Sequence, residues 1–201
     1  MIRRQFVTGI LMTVVLTVVL GFLYPLAITG ISQLTMSKRA NGSLVKQGGR
    51  VVGSSLIGQS FAAKDGSPLP QYFQPRPSAT GTSPYNAMAS GGSNLGPSNQ
   101  TLLDTVAQRV AAYRKLNGLG PNVKVPADAV TASASGLDPA ITVANARLQA
   151  PRVARERGLP LARVNGLIGQ HTQGRQWGVL GEQTVNVLNL NLALDRLSPS
   201  S

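Results

Sequence analysis

The chain has 201 residues, no cysteine, one histidine and a formal net charge of +12. The missing cysteines exclude a disulfide framework and thiolate metal sites, and a lone histidine excludes a His-rich metal cluster. Aromatic residues make up only 4%, too few for the stacking platforms of single-strand binders, and the basic excess is scattered rather than gathered into blocks, so no nucleic-acid partner is expected.

Residues 1–5, with Arg3 and Arg4, read as a short cytoplasmic N-terminus. From Phe6 to Ile31 the sequence FVTGILMTVVLTVVLGFLYPLAITGI carries no charge in 26 positions. As a helix it would be about 39 Å long, more than the roughly 30 Å hydrocarbon core of a bilayer. A transmembrane helix is therefore expected at 6–31, a linker at 32–42 and an extracytoplasmic soluble domain at 43–201. A cleavable signal peptide is the rival reading, but the apolar run is too long and no clear A-x-A site follows.

Small residues recur at Gly9, Thr13, Thr17 and Gly21, which puts them on one helix face. That face suits docking of a partner helix. Alternatively, the threonines bond the carbonyl one turn back in a solitary anchor. Pro25 extends the row, and its ring should disturb the Gly21 carbonyl and kink the helix. Arg3 and Arg4 favour an inside start, whereas Lys38, Arg39, Lys46 and Arg50 count the other way; long C-terminal domains cross largely regardless of charge, so the outer side is expected for the domain.

SLVKQGGRVVGSS alternates around Gly48-Gly49 and predicts a short β-hairpin. Residues 64–100 are rich in Gly, Pro, Ser and Asn; a stretch this long should follow a defined path anchored by Tyr72, Phe73 and Tyr85. A helix follows at 101–117, capped by Ser98 or Asn99, with Leu103, Val106, Val110 and Tyr113 as its apolar stripe and Gly118 at its end. A second helix starts near Asp138-Pro139 or Thr142 and runs to Gly158, with Pro151 expected to kink or divide it. A third spans about Pro160 to Gln170 and buries Leu161, Val164, Leu167 and Ile168. The final VNVLNLNLALDRL fits either a strand or a helix, and a helix is chosen. The fold class expected is α+β: one N-terminal transmembrane helix, then a single mostly helical soluble domain with a short β-hairpin.

The stretch SGGSNLGPSN at 90–99 makes Ser90, Gly91, Gly92, Ser93 and Asn94 a candidate nucleotide contact or a set of turns. A Walker loop needs a lysine that is missing here, and the G-x-G-x-x-G spacing is absent, so turns bracing the helix at 101–117 are expected. RVARERG at 152–158 reads as a solvated helix face, drawn to membrane lipids with anionic headgroups. His171 is the one group titrating near neutrality; it serves either as a general base of a membrane-anchored hydrolase or, more simply, as a partner of a backbone group, and Arg175 would favour its neutral form if the two approach each other. The carboxylates show no paired spacing, and neither a catalytic set nor a metal site is expected.

In order, YFQPRPSA, YNA, SGGSNLGPSN, VPADAVTASASGLDP, RVARERG, HTQGR and LGEQTVNVLNLNLAL behind one anchor resemble the C subunit (KdpC) family of the bacterial Kdp potassium-transporting P-type ATPase, over about residues 1–197. Two positions depart from the family's usual pattern, Ala140 where it often has His and Val143 where it often has Pro. The resemblance implies a non-catalytic, single-pass subunit in the bacterial inner membrane. Its implied partners are a channel-like potassium-binding A subunit, a P-type ATPase B subunit and a small F subunit. It further implies that ATP, Mg and K are used by the complex and none is bound directly, and that the chain assembles and stabilises the pump. A second view of the family makes it a catalytic chaperone that raises the ATP affinity of the ATPase subunit.

Overall fold

The structure is a computed structural model and describes residues 1–197; the last residues of the expected soluble domain, 198–201, lie outside the described residues. The chain divides into two compact units, Met1–Val52 and a second one beginning at Gly53.

In the first unit one helical rod runs from Ile2 to Ala40, 39 residues of which none is buried. It comprises α1 (Ile2–Val18), a π-helical turn (Val19–Leu23) and α2 (Tyr24–Ala40). The disturbance expected from Pro25 takes the form of that π turn: proline has no N–H for Gly21, and widening the ladder moves the Gly21 carbonyl away from the ring. The segment expected as a linker at 32–42 is helical as far as Ala40, interrupted only at Met36, whose φ of −145° leaves the helical region. The rod stops where Gly42 N–H bonds Arg39 O and Ser43 N–H bonds Lys38 O, a Schellman closure. The hairpin follows as β1 (Leu44–Gln47) and β2 (Arg50–Ser54), turning at Gly48 and Gly49 with φ of 54° and 78°, the pair of positive values a tight two-residue turn needs.

The second unit holds α3 (Gln100–Asn117), β3 (Ala140–Thr142), α4 (Val143–Glu156), α5 (Leu161–His171), β4 (Thr172–Gln173), β5 (Thr184–Asn186) and α6 (Val187–Leu197). Helix α4 packs between α3 and α5, and α5 packs on α6. β5 is the centre of a small antiparallel sheet, pairing Ile141 with Val185 on one side and Thr172 with Val185 on the other. The core is continuous across these elements: Phe73, Ile141, Ala146, Ala150, Val153, Val164, Ile168, Val185, Leu190 and Leu194 are all buried.

Of the two capping candidates for α3 it is Asn99 that acts, its Oδ1 accepting from Leu102 N–H. Other expectations need correction. Leu103 is 49% exposed, and the inner face of α3 instead carries Val106, Val110, Tyr113 and Asn117. Helix α4 starts at Val143 after its cap Thr142, one of the two expected points, whose hydroxyl accepts from Asn145 N–H, and it runs unbroken through Pro151, which lies on its exposed side and was expected to kink or divide it. Leu161 is exposed. The last apolar stretch is both of the forms it resembled, since Val185 and Asn186 finish β5 before the helix starts at Val187. Strands β3, β4 and β5 were not expected; at two or three residues each they are too short to show a period of two.

Candidate functional site

The densest chemistry in the domain surrounds the irregular segment Pro70–Gln74. Five consecutive carbonyls accept hydrogen bonds from side chains rather than from a strand. Arg152 Nη1 donates to Pro70 O and, at 2.9 Å, to Tyr72 O; Arg157 Nε donates to Gln71 O at 2.7 Å; Asn191 Nδ2 donates to Phe73 O at 3.0 Å; Gln149 Nε2 donates to Gln74 O at 3.0 Å. The amides reciprocate, with Phe73 N–H donating to Asn191 Oδ1 and Gln74 N–H to Gln149 Oε1. Asn191 and Gln149 thus each imitate one rung of a sheet, which lets a chain without a neighbouring strand cross the core with its polar groups satisfied. Phe73 is fully buried beneath them, as its expected role of anchor requires.

This overturns the reading of RVARERG as a solvated face. Arg152 is 1% exposed, and its Nε and Nη2 also reach Asn117 Oδ1 and Gln149 Oε1, both at 2.9 Å. Burial pushes its guanidinium down to about 10, which leaves it charged at neutral pH. The Arg157 side chain is 3% exposed, lies 4.7 Å from the Tyr72 ring centroid and bonds Asp195 at 2.7 Å. Arg155 alone of the three faces solvent, paired with Glu156.

From Arg152 the polar chain runs along the inner face of α4. Gln149 Nε2 donates to Asn145 Oδ1 at 2.9 Å, and Asn145 Nδ2 donates to Asp128 Oδ2 at 3.0 Å. Asp128 also accepts from Thr142 N–H at 2.7 Å, so a carboxylate sits at the N-terminus of α4 and a guanidinium is held nearer its C-terminus, both favourable to the helix dipole. Tyr113 donates to Asn145 Oδ1 at 2.8 Å, and burial first, then Asp128, pushes its phenol well above the usual range. Asn145 and Gln149 carry no motif, and Arg152 reads as a surface charge; their spacing i, i+4, i+7 on the same face as Ala146 and Val153 is the signal the sequence offers.

Arg76 bonds Asp138 Oδ2 at 3.0 Å between two open concavities of about 650 and 710 Å³, which also receive Asp128, Glu182, Ser133 and Ser135. Among the described residues no group of His, Cys, Asp and Glu is placed to hold a metal ion.

The glycine stretch packs on the loop 133–136, and its last residue, Asn99, caps the helix that follows. Gly91 N–H donates to Ser135 O at 2.9 Å, Ser90 Oγ donates to the same carbonyl at 3.1 Å, and a Cβ on Gly92 would stand 3.1 Å from Ala134 O. One amide of the stretch is thus committed within the domain, and carbonyl oxygens of the 133–136 loop lie on its inner side. Ser93 and Asn94 are exposed. His171 ends α5, and its pKa is lowered by burial and then by Arg196.

On the rod, Gly9 has open space over its Cα, and Thr13 Oγ1 donates to Gly9 O at 2.9 Å. Gln5, Phe6, Gly9, Ile10, Thr13 and Val14 line a groove of about 500 Å³ there. Thr17 and Gly21 continue the row, with Thr17 Cγ2 3.8 Å from the position of a Cβ on Gly21.

Among the described residues one apolar helix is long enough to cross a bilayer, and it is joined to an α+β domain braced by internal side-chain bonds, an arrangement that fits the class of single-span membrane proteins. The family model KdpC, described as K+-transporting ATPase, c chain, matches residues 6–196. A Mycobacterium tuberculosis (strain H37Rv) protein named potassium-transporting ATPase KdpC subunit is 54% identical over 195 residues, 97% of this chain and 100% of its own. Proteins of the same name from Koribacter versatilis and Variovorax paradoxus are 48% and 56% identical, covering 98% and 90% of this chain and 97% and 90% of their own. The chain belongs to the KdpC family.

Proposed function

We propose that the chain is the non-catalytic subunit that assembles and stabilises an ATP-driven potassium uptake pump in a bacterial inner membrane. Its partners are a channel-like potassium-binding subunit, a P-type ATPase subunit that carries out the ATP chemistry, and a small F subunit. ATP, Mg and K are handled by the complex, with none bound directly by this chain, and the domain lies on the outer side. The observation that carries the reading is the family match over nearly the full chain, including the apolar rod. Consistent with bracing, Arg152, Arg157, Gln149, Asn145 and Asn191 are committed to bonds within the domain. The row Gly9, Thr13, Thr17 and Gly21 is the surface proposed to meet a partner helix.

Protease added to intact spheroplasts tests the sidedness: cleavage of a C-terminal tag supports an outer domain, while cleavage only after lysis overturns it and restores direct contact with ATP. Affinity purification of the tagged chain tests assembly. Recovery with two large multi-span proteins and potassium-stimulated ATP hydrolysis is the expected result, and hydrolysis by the chain alone would sink the non-catalytic assignment.

A further inference from the structure

Strands β4 and β5 are joined by residues 174–183, and this excursion closes on itself before its end. Gln176 N–H donates to Leu180 O at 2.9 Å and Leu180 N–H to Gln176 O at 3.0 Å, an antiparallel bridge that fixes the three residues between them. Trp177 and Gly178 stand at φ of 53° and 81°. The left-handed region is unusual for a bulky residue, so the backbone holds Trp177 where its intrinsic preference would not. The result is a projection of apolar side chains into solvent: Trp177 is 84% exposed, Val179 72% and Leu180 51%. The excursion carries one charge of each sign, Arg175 and Glu182, both exposed.

We infer that the Trp177–Leu180 tip is a wedge that enters the headgroup region of an anionic bilayer and seats the soluble domain on the membrane that anchors the chain. Four observations favour lipid over a protein socket. The helical rod tethers the domain to one bilayer face, so the tip meets lipid at high effective concentration whenever it can reach it. Tryptophan is the side chain enriched at membrane interfaces, where its ring lies among headgroups. All seven acidic residues lie after position 31, together with every basic residue except Arg3 and Arg4, so the part of the chain beyond the span is strongly positive and complementary to anionic headgroups. Finally, three side chains offer far less area than the roughly 1,200 Å² or more of a specific protein interface, whereas a small apolar wedge suffices as a second attachment for a chain already anchored.

Trp177 is the sole tryptophan, so indole emission of the intact protein reports on this tip alone. The full chain, without partner subunits, is reconstituted in phosphatidylglycerol–phosphatidylcholine vesicles with ordinary or brominated acyl chains. The expected result is loss of more than half of the emission to brominated lipid, weaker loss in vesicles of phosphatidylcholine alone, and recovery of most of it in Val179→Asp/Leu180→Asp, which keeps the reporter and alters only exposed positions. Emission indifferent to brominated lipid and open to aqueous quencher overturns the inference. So does emission that becomes protected only when other membrane proteins are present, which would assign the tip to a protein socket. Because the chain is measured alone, failure here leaves the pump-subunit reading untouched.

Discussion

Gln149 and Gln74 exchange two hydrogen bonds, Gln74 N–H to Gln149 Oε1 at 2.7 Å and Gln149 Nε2 to Gln74 O at 3.0 Å, so a side chain on α4 completes the backbone of a segment 75 residues away in sequence. Gln149 also accepts from Arg152 and donates to Asn145. Replacing it by leucine keeps the volume and takes the partner from Gln74 N–H, Gln74 O and Arg152 Nη2, while Asn145 Oδ1 keeps its bond from Tyr113. With about 1–3 kcal/mol for each unsatisfied buried group, offset where water or relaxation helps, Gln149→Leu should destabilise the domain by about 3 kcal/mol or more. Asn191→Leu should cost a similar amount, while Arg155→Gln at the exposed position should fall within about 0.5 kcal/mol of the parent. Urea titration of the full chain in detergent, followed by near-ultraviolet circular dichroism, measures all three; a Gln149→Leu midpoint equal to the parent's would refute the sheet-mimicking role.

Gly136 has φ of 66°, and a Cβ there would stand 2.7 Å from Gly91 O and 2.6 Å from Thr80 Cγ2. Both the backbone conformation and the approach of the glycine stretch exclude a side chain. Gly136→Ala is expected to destabilise by about 2 kcal/mol. Gly166, inside α5 with open space over its Cα, is the contrast: Gly166→Ala should stabilise by about 0.5–1 kcal/mol through helix propensity. Thermal melts showing the two substitutions equivalent would mean that the contact of Gly91 with the 133–136 loop is not tight.

His171 supplies a dependence on pH. Burial, then Arg196, holds its folded pKa below the ordinary value of about 6.5, so the unfolded chain binds the proton more readily. Its contribution to stability is complete above the unfolded pKa and is lost as pH falls from there through the folded pKa. In His171→Gln the fall in melting temperature between neutral and mildly acidic pH should be shallower than in the parent. An unchanged slope would show that the imidazole is solvated and that its surroundings do not act on it.

How much of this was legible depended on what each residue signals locally. The apolar rod, the Gly48-Gly49 turn, the α3 cap and the buried row Val164, Leu167 and Ile168 follow from neighbours within one or two turns, which a sequence displays directly. The clamp on Pro70–Gln74 could not be read that way. Arg152 and Arg157 look like solvent-facing charges because they bond backbone carbonyls 80 and 86 residues earlier, and carbonyls have no sequence signature. The same holds for SGGSN, whose glycines meet the carbonyls of Ala134 and Ser135. In each case residue type suggested a ligand outside the chain, and the fold supplied one inside it.

The membrane row makes a prediction that separates its two original readings. Thr13 Oγ1 already donates to Gly9 O within its own helix, so attraction of a partner through a threonine hydroxyl at that position is weakened. What remains is close backbone approach over Gly9 and Gly21, and the π turn at Val19–Leu23 gives the rod a local change of shape beside Gly21. Packing against such a face depends on the absence of bulk. Thr17→Leu with Gly21→Leu should therefore reduce recovery of partner subunits by about tenfold, the effect of roughly 1.4 kcal/mol, while leaving the melting of the soluble domain unchanged. Equal recovery would leave the row as the self-bonded surface of a solitary anchor. Thr13→Val serves as the discriminating control: it removes the hydroxyl and keeps the size, so it should preserve association if approach is what matters, and impair it if a bond across helices forms instead.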